Sequence, residues 1–515
     1  MNRGGSWILA IDLGNGGPKV AAVDAGGEIA ATAFRQVSVD IGVDGAATQD
    51  ADEWWSAVRA CVKKVVDAGA VHPDRLRAVA VTGQWGSTVP VDEQGLPVGP
   101  VLLWADTRGG RYSREVIGGP ITVQGFAPTK VLRWVRRTGG APTPSGADPT
   151  GHSLLLQHEF PDVYRRTRWL LEPVDYLGMR LTGRAAATPA SMILSWVTDN
   201  RLGREPRYDL DLVRWAQRDP ERLPPLIPTG SVLGPIASDV ATELGLPLDI
   251  PVIAGLPDLQ AAVIGSGAVA PYATHVSIST TAWLGASVPF KRTDVLHSIA
   301  TVPGLDPAHP VVANNHETGG AALRWLLEQV LPGSGYDELV AEAERAPAGS
   351  EGVLFTPWLN GERSPVEDKD LRASFLNVSL RTDRATLIRA VMEGVALNAR
   401  WLFDAYEKFL RRTVPSVRII GGGAQSDLWC QMHAYALGRP VERVADPRDA
   451  QLRGVAMWAL VCLGEISLSE AGSRTLVTDV FLPDGSDAAL YQDLYKEYRR
   501  LYRELKGIHH RLNRR

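Results

Sequence analysis

Apolar runs and small-residue turns alternate at the start of the chain. WILAI is a continuous apolar run, GNGG a turn, KVAAV a second run and AGG another turn before EIAATAF. This pattern predicts a meander of short strands, the first central and buried on both faces. QDADEWWSAVRACVKKVV then offers an Asp cap followed by Trp54, Trp55, Val58, Cys61, Val62 and Val65 at helical spacing. RLRAVAVTG predicts a further strand, and strands followed by helices recur down the chain, so the fold class is α/β.

From Lys130 to Pro228 the chain is richer in Arg, Trp and Pro and reads as helices and loops, an insertion or cap on the first domain. A second β-rich start, THVSISTTAWLGASV, follows the glycine-containing segment Ile264 to Val269 and repeats the opening plan of strand, small-residue turn and strand. Two such hairpins heading two halves predict a duplicated fold with a cleft between the copies. The second half continues with a helical TGGAALRWLLEQVL, a loop GERSP and a long helix through LIRAVMEGVALNARWLFDAYEKFL. A strand entering GGG, a helix WCQMHAYAL, a strand PVERV and an Ala-rich helix AQLRGVAMWALVCLG come next, and the Tyr-rich helix YQDLYKEYRRLYREL closes the chain.

Length and composition narrow the function classes. With 515 residues, two domains of about 200–260 residues each are the expectation. The 45% hydrophobic and 22% charged content is that of a soluble globular protein. A net charge of −4 gives no electrostatic reason to expect nucleic acid or an anionic membrane as partner. The basic tail RRLYRELKGIHHRLNRR is the local exception and reads as a solvated terminal helix. Cys61, Cys430 and Cys462 lie far apart without CxxC spacing, which points to a reducing compartment and away from a disulfide framework or zinc site. The apolar run SWILAI is too short for a signal segment and no stretch approaches a membrane span, so a cytoplasmic protein is expected.

Four segments carry candidate chemistry. DLGNGGPK, Asp12 to Lys19, ends a buried strand in a glycine-rich turn whose backbone N–H groups can approach phosphate, with an Asp able to hold Mg²⁺ through water; read alone, the segment favours an ordinary hairpin turn. SISTTAWLG, Ser277 to Gly285, sets hydroxyls on a second turn, although taken alone it reads as an ordinary Ser/Thr-rich strand and turn; IIGGGAQSDLW, Ile419 to Trp429, runs a strand into three glycines and a helix start, suited either to close approach of a ligand or to close helix packing. In AGLPDLQAAVIGSGAV, Asp258 is the lone charge. It is either a turn Asp or a carboxylate at the N-terminal end of a buried helix, poorly hydrated and fit for a general base.

Together and in this order, these elements resemble the FGGY family of carbohydrate kinases, most closely its xylulokinase branch. The resemblance rests on DLGNGGPK, GQWGSTVPVDEQGLPVGPVLLWADTR, GFAPTKVLRW, PVDYLGMRLTG, GLPD, SISTTAW, GAALRWL, GERSP, MEGVALN and GGGAQSDLWCQMHAYALGRPV, which cover almost the whole chain. It implies two actin-like, ribonuclease-H-like domains around a deep cleft. Residues 1–265 would carry mainly the sugar side, the first phosphate loop and the catalytic Asp; 270–465 mainly the ATP side; and 466–515 a helical tail packed on the second domain. By the same resemblance Asp258 is the catalytic base and Asp12 holds Mg²⁺. Gly14, Asn15, Lys19, Thr280 and Thr281 then face the phosphates, and Gly320, Gly423 and Asp427 surround the nucleotide. Gln84, Trp85, Gly86, Asp106, Asp258 and Leu259 fall on the sugar side. The implied partners are ATP and a small sugar or polyol, in a monomer or homodimer.

Departures from the family pattern bear on the acceptor. Asn15 stands where Thr is usual, Trp85-Gly86-Ser87 replaces Met-His-Gly, Leu259 replaces a polar residue, and RASFLNVSL lacks two glycines. A site missing two hydrogen-bonders leaves substrate hydroxyls dry and unpaired, so a substrate differing from plain xylulose is expected. A non-catalytic sugar sensor on the same fold is the competing expectation, and retention of both Asp12 and Asp258 speaks against it. An actin- or chaperone-type ATPase is a third, disfavoured by the short helical tail in place of a peptide-binding β-domain.

Overall fold

A computed structural model describes residues 6–70, 72–123, 125–204 and 207–513. The opening meander forms as the pattern predicts, with β1 (Trp7–Gly14), β2 (Gly17–Asp24) and β3 (Ile29–Phe34). Helix α1 (Ala51–Asp67) starts where the Asp50 carboxylate accepts the Asp52 N–H at 2.8 Å, and it lays Trp54, Val58, Cys61, Val62 and Val65 on the sheet. After β4 (Leu76–Gly83) the chain leaves the sheet for a largely helical stretch that includes α2 (Pro173–Thr182). It returns through β5 (Val232–Pro235), β6 (Pro251–Ile253) and the short β7 (Leu256–Pro257). The strand order is β5-β6-β4-β1-β2-β3, with β7 also on β4. Strand β1 is central, antiparallel to β2 and parallel to β4, which explains its burial on both faces.

Helix α3 (Asp258–Gly265) leads to the second start. There β8 (Thr274–Ile278) and β9 (Ala282–Gly285) form a hairpin, and β8 pairs in parallel with β10 (Val417–Ile420), which follows the long helix α4 (Arg384–Leu410). Helix α5 (Asp427–Leu437), β11 (Val441–Val444), α6 (Ala450–Cys462), β12 (Val477–Phe481) and α7 (Gly485–Asn513) complete a sheet of order β9-β8-β10-β11-β12. A hairpin whose first strand also pairs in parallel therefore heads both sheets. The expected repeat is one of topology.

Each sheet has its own apolar core, and a third core around α3 and α6 joins them. The stretch from Lys130 to Pro228 is not one added body. Trp134, Leu154 and Leu212 build a separate cluster, whereas Tyr176, Leu177 and Leu181 of α2 belong to the first sheet's core. Two expectations about the C-terminal segment change. Residues 466–515 are not purely helical, because β12 adds the fifth strand of the second sheet. The basic stretch from Arg499 is not solvated all round, because His509 is buried and its Nδ1 accepts the Arg372 N–H at 2.9 Å; upstream, the same helix is anchored by Tyr491, Tyr495 and Tyr498, buried against α4; its last residues, Arg514 and Arg515, lie outside the described residues. No helix among the described residues is long and apolar enough to cross a membrane.

Candidate active site

The C-terminal ends of the parallel strands and the tips of both hairpins open onto one cleft of about 1490 Å³. Strand β1 delivers Asp12, whose register partner on β2 is Lys19, and the tip between them carries Gly14, Asn15 and Gly16. The tip is tight for a reason: Gly17 has φ +131°, and a Cβ there would strike the Arg35 carbonyl. Gln49 Nε2 donates to the Asn15 carbonyl at 3.0 Å and fixes the turn from below.

The second hairpin presents Ser279, Thr280 and Thr281 to the same cleft. Gly319 and Gly320 dock on it, their N–H groups donating to the Thr280 and Ser279 carbonyls at 2.9 and 2.7 Å. A Cβ on Gly320 would stand 2.7 Å from that Ser279 carbonyl, so the close approach demands glycine. Opposite, β10 turns at Gly421 with φ +94°, and Gly422, Gly423 and Asp427 line the wall as α5 begins. Asp427 reaches Arg443 at 2.5 Å, so its carboxylate is tied to the rim.

Asp258 is the first residue of α3, after Pro257 in an extended conformation. Burial pushes its carboxyl up to about 7, with the Asp12 charge adding to the rise and the Leu259 N–H opposing it. Burial also raises Asp12, which Lys19 draws down and Asp449 pushes up. A carboxyl with a pKa near neutrality beside a second carboxylate and two donor-rich turns can accept a proton from a hydroxyl while anionic charge is held nearby. The apolar run at helical spacing after Asp258 thus forms the buried helix that the sequence left open.

Lys19, Gln84, Trp85, Gly86 and Leu259 line the same cleft. Trp85 Nε1 donates to the Ser191 carbonyl at 2.9 Å, so its ring offers the cleft carbon rather than a donor. Asp106 is corrected. It lies outside the cleft lining, wholly buried, accepting from Arg108 Nη2 at 2.6 Å and from the Ala47 N–H at 3.1 Å. Its oxygens are engaged in holding the loop before α1, which is where a buried carboxylate with an adjacent guanidinium settles.

Sequence reasoning missed Trp196 and Trp283. Both line the cleft, and both have a buried indole N–H without a partner among the described residues. Trp196 sits in the left-handed region at φ 58°, strained for a bulky residue, and packs on Gly140. No local signal marks it. Trp283 lies inside SISTTAW, where its size amid small residues was the available clue.

Residues 7–138 and 149–265 match the N-terminal domain, and 293–463 the C-terminal domain, of the FGGY family of carbohydrate kinases. A xylulose kinase of Staphylococcus epidermidis is 28% identical, over 97% of this chain and 97% of that protein. An autoinducer-2 kinase of Klebsiella pneumoniae is 26% identical, over 98% and 95%. The solved ligand-bound xylulose kinase from Lactobacillus acidophilus superposes with a TM-score of 0.84 at 21% identity, covering 98% of this chain and all of that one (100%).

Proposed function

The chain belongs to the FGGY family of carbohydrate kinases, and from that premise we propose that it transfers the γ-phosphoryl group of ATP to a terminal hydroxyl of a ketopentose, xylulose-like, or of a related sugar or polyol. The observation that carries this reading is the meeting of Asp258, Asp12 and both hairpin tips in one cleft, with the Asp258 carboxyl raised to about 7. Phosphoryl transfer needs positioning and charge neutralisation more than covalent help, and this set supplies both.

In this mechanism Asp258 orients the acceptor hydroxyl and takes its proton as the oxygen–phosphorus bond forms. Gly14, Asn15, Lys19, Thr280 and Thr281 hold the phosphates from the two lobes, and Gly320, Gly423 and Asp427 border the nucleotide. Mg²⁺ fits the donor set, because a single carboxylate facing phosphate oxygens and water is its common protein environment; when bound it neutralises phosphate charge, and Asp12 would hold it. Residues 1–265 then serve the sugar side and 270–465 the nucleotide side, with 466–515 bracing the latter. Closure of the lobes would exclude the water that competes for the phosphoryl group.

A second observation favours an acceptor other than plain xylulose. Where polar side chains are expected, Leu259 and the ring of Trp85 face the cleft, and Asp106 is withdrawn from it. Such a wall suits a polyol or ketose with a less hydroxylated face. The test is ATP consumption against ketoses, pentitols and tetritols by the chain and by Asp258→Ala. If no acceptor stimulates turnover, or if Asp258→Ala leaves it unchanged, the kinase reading is wrong.

A further inference from the structure

The N-terminus of α2 sits behind the sugar-side wall and carries two acids that the reaction does not use, Glu172 just before the helix and Asp175 in its first turn. Glu172 is 2% exposed and Asp175 3% exposed. Glu172 Oε2 accepts the Gly86 N–H at 3.0 Å. Its Oε1 has no partner among the described residues. Asp175 faces the Ser191 hydroxyl, and it is the Ser191 carbonyl that receives Trp85 Nε1–H at 2.9 Å. The backbone following Trp85 and the far end of its indole therefore both trace to one helix N-terminus.

Gly86 needs that support. It stands at φ +80°, and a Cβ there would come within 3.0 Å of Leu194 Cδ1, so the segment is a sharp left-handed turn rather than extended chain. Val174, between the two acids, fills the space that a Cβ on Gly255 would take, at 2.6 Å, three residues before Asp258. Strand β7, which precedes Asp258, pairs with Thr82 and Gly83, which precede Gln84. The N-terminus of α2 thus braces both the sugar-side loop and the approach to the base.

We propose that Glu172 is a positioning residue for the acceptor: by holding the Gly86 amide it fixes the Trp85 ring as a rigid wall of the sugar subsite, and so sets acceptor affinity without touching the substrate. Burial and the neighbouring Asp175 push its carboxyl well above the usual range. An amide oxygen in the same place can accept the same N–H, whereas an apolar side chain leaves the buried Gly86 N–H without an acceptor.

The acceptor side of this proposal rests on the kinase reading, so it is tested by two readouts. In the full chain, Glu172→Leu and Glu172→Met are expected to raise the acceptor KM about tenfold with the ATP KM within twofold, and Glu172→Gln to restore the wild-type value. In a Trp85→Phe background, Glu172→Leu is expected to add less than twofold, because the effect acts through that ring. Independently of activity, amide hydrogen exchange in residues 84–88 is expected to rise in the Leu and Met variants and not in the Gln variant. Equal changes in both KM values, full additivity with Trp85→Phe, or exchange unchanged at 84–88 would overturn the proposal. If no acceptor stimulates the wild-type chain, the kinase reading falls and the exchange measurement alone decides for or against the role of Glu172.

Discussion

Lys19 Nζ stands 2.6 Å from Asp449 Oδ1, joining β2 of the first sheet to the turn that opens α6 in the second. Lys19 also faces Asp12 across the hairpin and draws its carboxyl down, while Asp449 pushes it up. The side chains are 18% and 23% exposed, so the pair is largely desolvated and its Coulombic gain is offset by the cost of taking both charges out of water. Its larger consequence is the charge at Asp12.

Lys19→Met and Asp449→Asn break the same bridge but act oppositely on Asp12. Both variants are expected to melt within a few degrees of the wild type. Turnover at pH 7 should fall at least tenfold in Lys19→Met and remain within about threefold in Asp449→Asn. Equal losses would mean that the bridge itself, not the charge beside Asp12, limits activity.

Asp258→Asn retains shape and removes the proposed base. A kcat reduction of about 10²–10⁴-fold is expected, with the ATP KM little changed, measured by coupled ADP release.

The raised Asp258 carboxyl fixes the pH dependence. Proton acceptance requires the anion, so kcat/KM for the acceptor should fall on the acid side of about pH 7. Stability runs the other way. Between the ordinary aspartate value of 3.8 and about 7 the folded protein binds the proton that the unfolded chain releases, so this group's contribution is present at low pH and lost as pH rises through that window. Asp258→Asn is accordingly expected to raise the melting temperature at pH 8 and to change it little near pH 4; an equal effect at both values would contradict the buried-charge account.

Gly454→Ala probes the support of the helix that carries the proposed base. A Cβ on Gly454 would strike the Ala261 carbonyl, and one on Gly265 the Ala450 carbonyl, because α3 and α6 pack backbone to backbone. Overpacking here is expected to cost about 1–3 kcal/mol or more, read as a lower melting temperature. Turnover should fall with it, since the shift moves Asp258.

Leu259→Gln tests the apolar sugar wall. One new hydrogen bond to a substrate hydroxyl is worth about 0.5–1.5 kcal/mol, so kcat/KM for xylulose should rise about 2–10-fold relative to a deoxygenated analogue. A preference that stays fixed would remove Leu259 from acceptor selection.

Much of the molecule was legible from local pattern. The two hairpins, α1 with its Asp50 cap, the long α4 and the strand entering three glycines stand where periodicity and turn residues put them, because those signals are written within ten or twenty positions. Asp258 was half legible: the apolar helix after it could be read, its raised carboxyl could not. The strand β12 was lost within a segment read as helix, its identity depending on a partner, β11, from a different part of the chain.

What the sequence determined by itself was therefore the α/β class, the repeated hairpin and the glycines that permit close backbone approach, all consequences of short-range sterics and hydrophobic spacing. Only the tertiary structure decided which polar groups remain free to act. Asp106 is spent on Arg108, and the Trp85 N–H on Ser191, 106 positions away. The Gly86 amide is held by Glu172, 86 positions distant. Hydrogen bonding between distant residues in a dry interior selects which side chains are supports and which face the cleft, and no local pattern carries that choice.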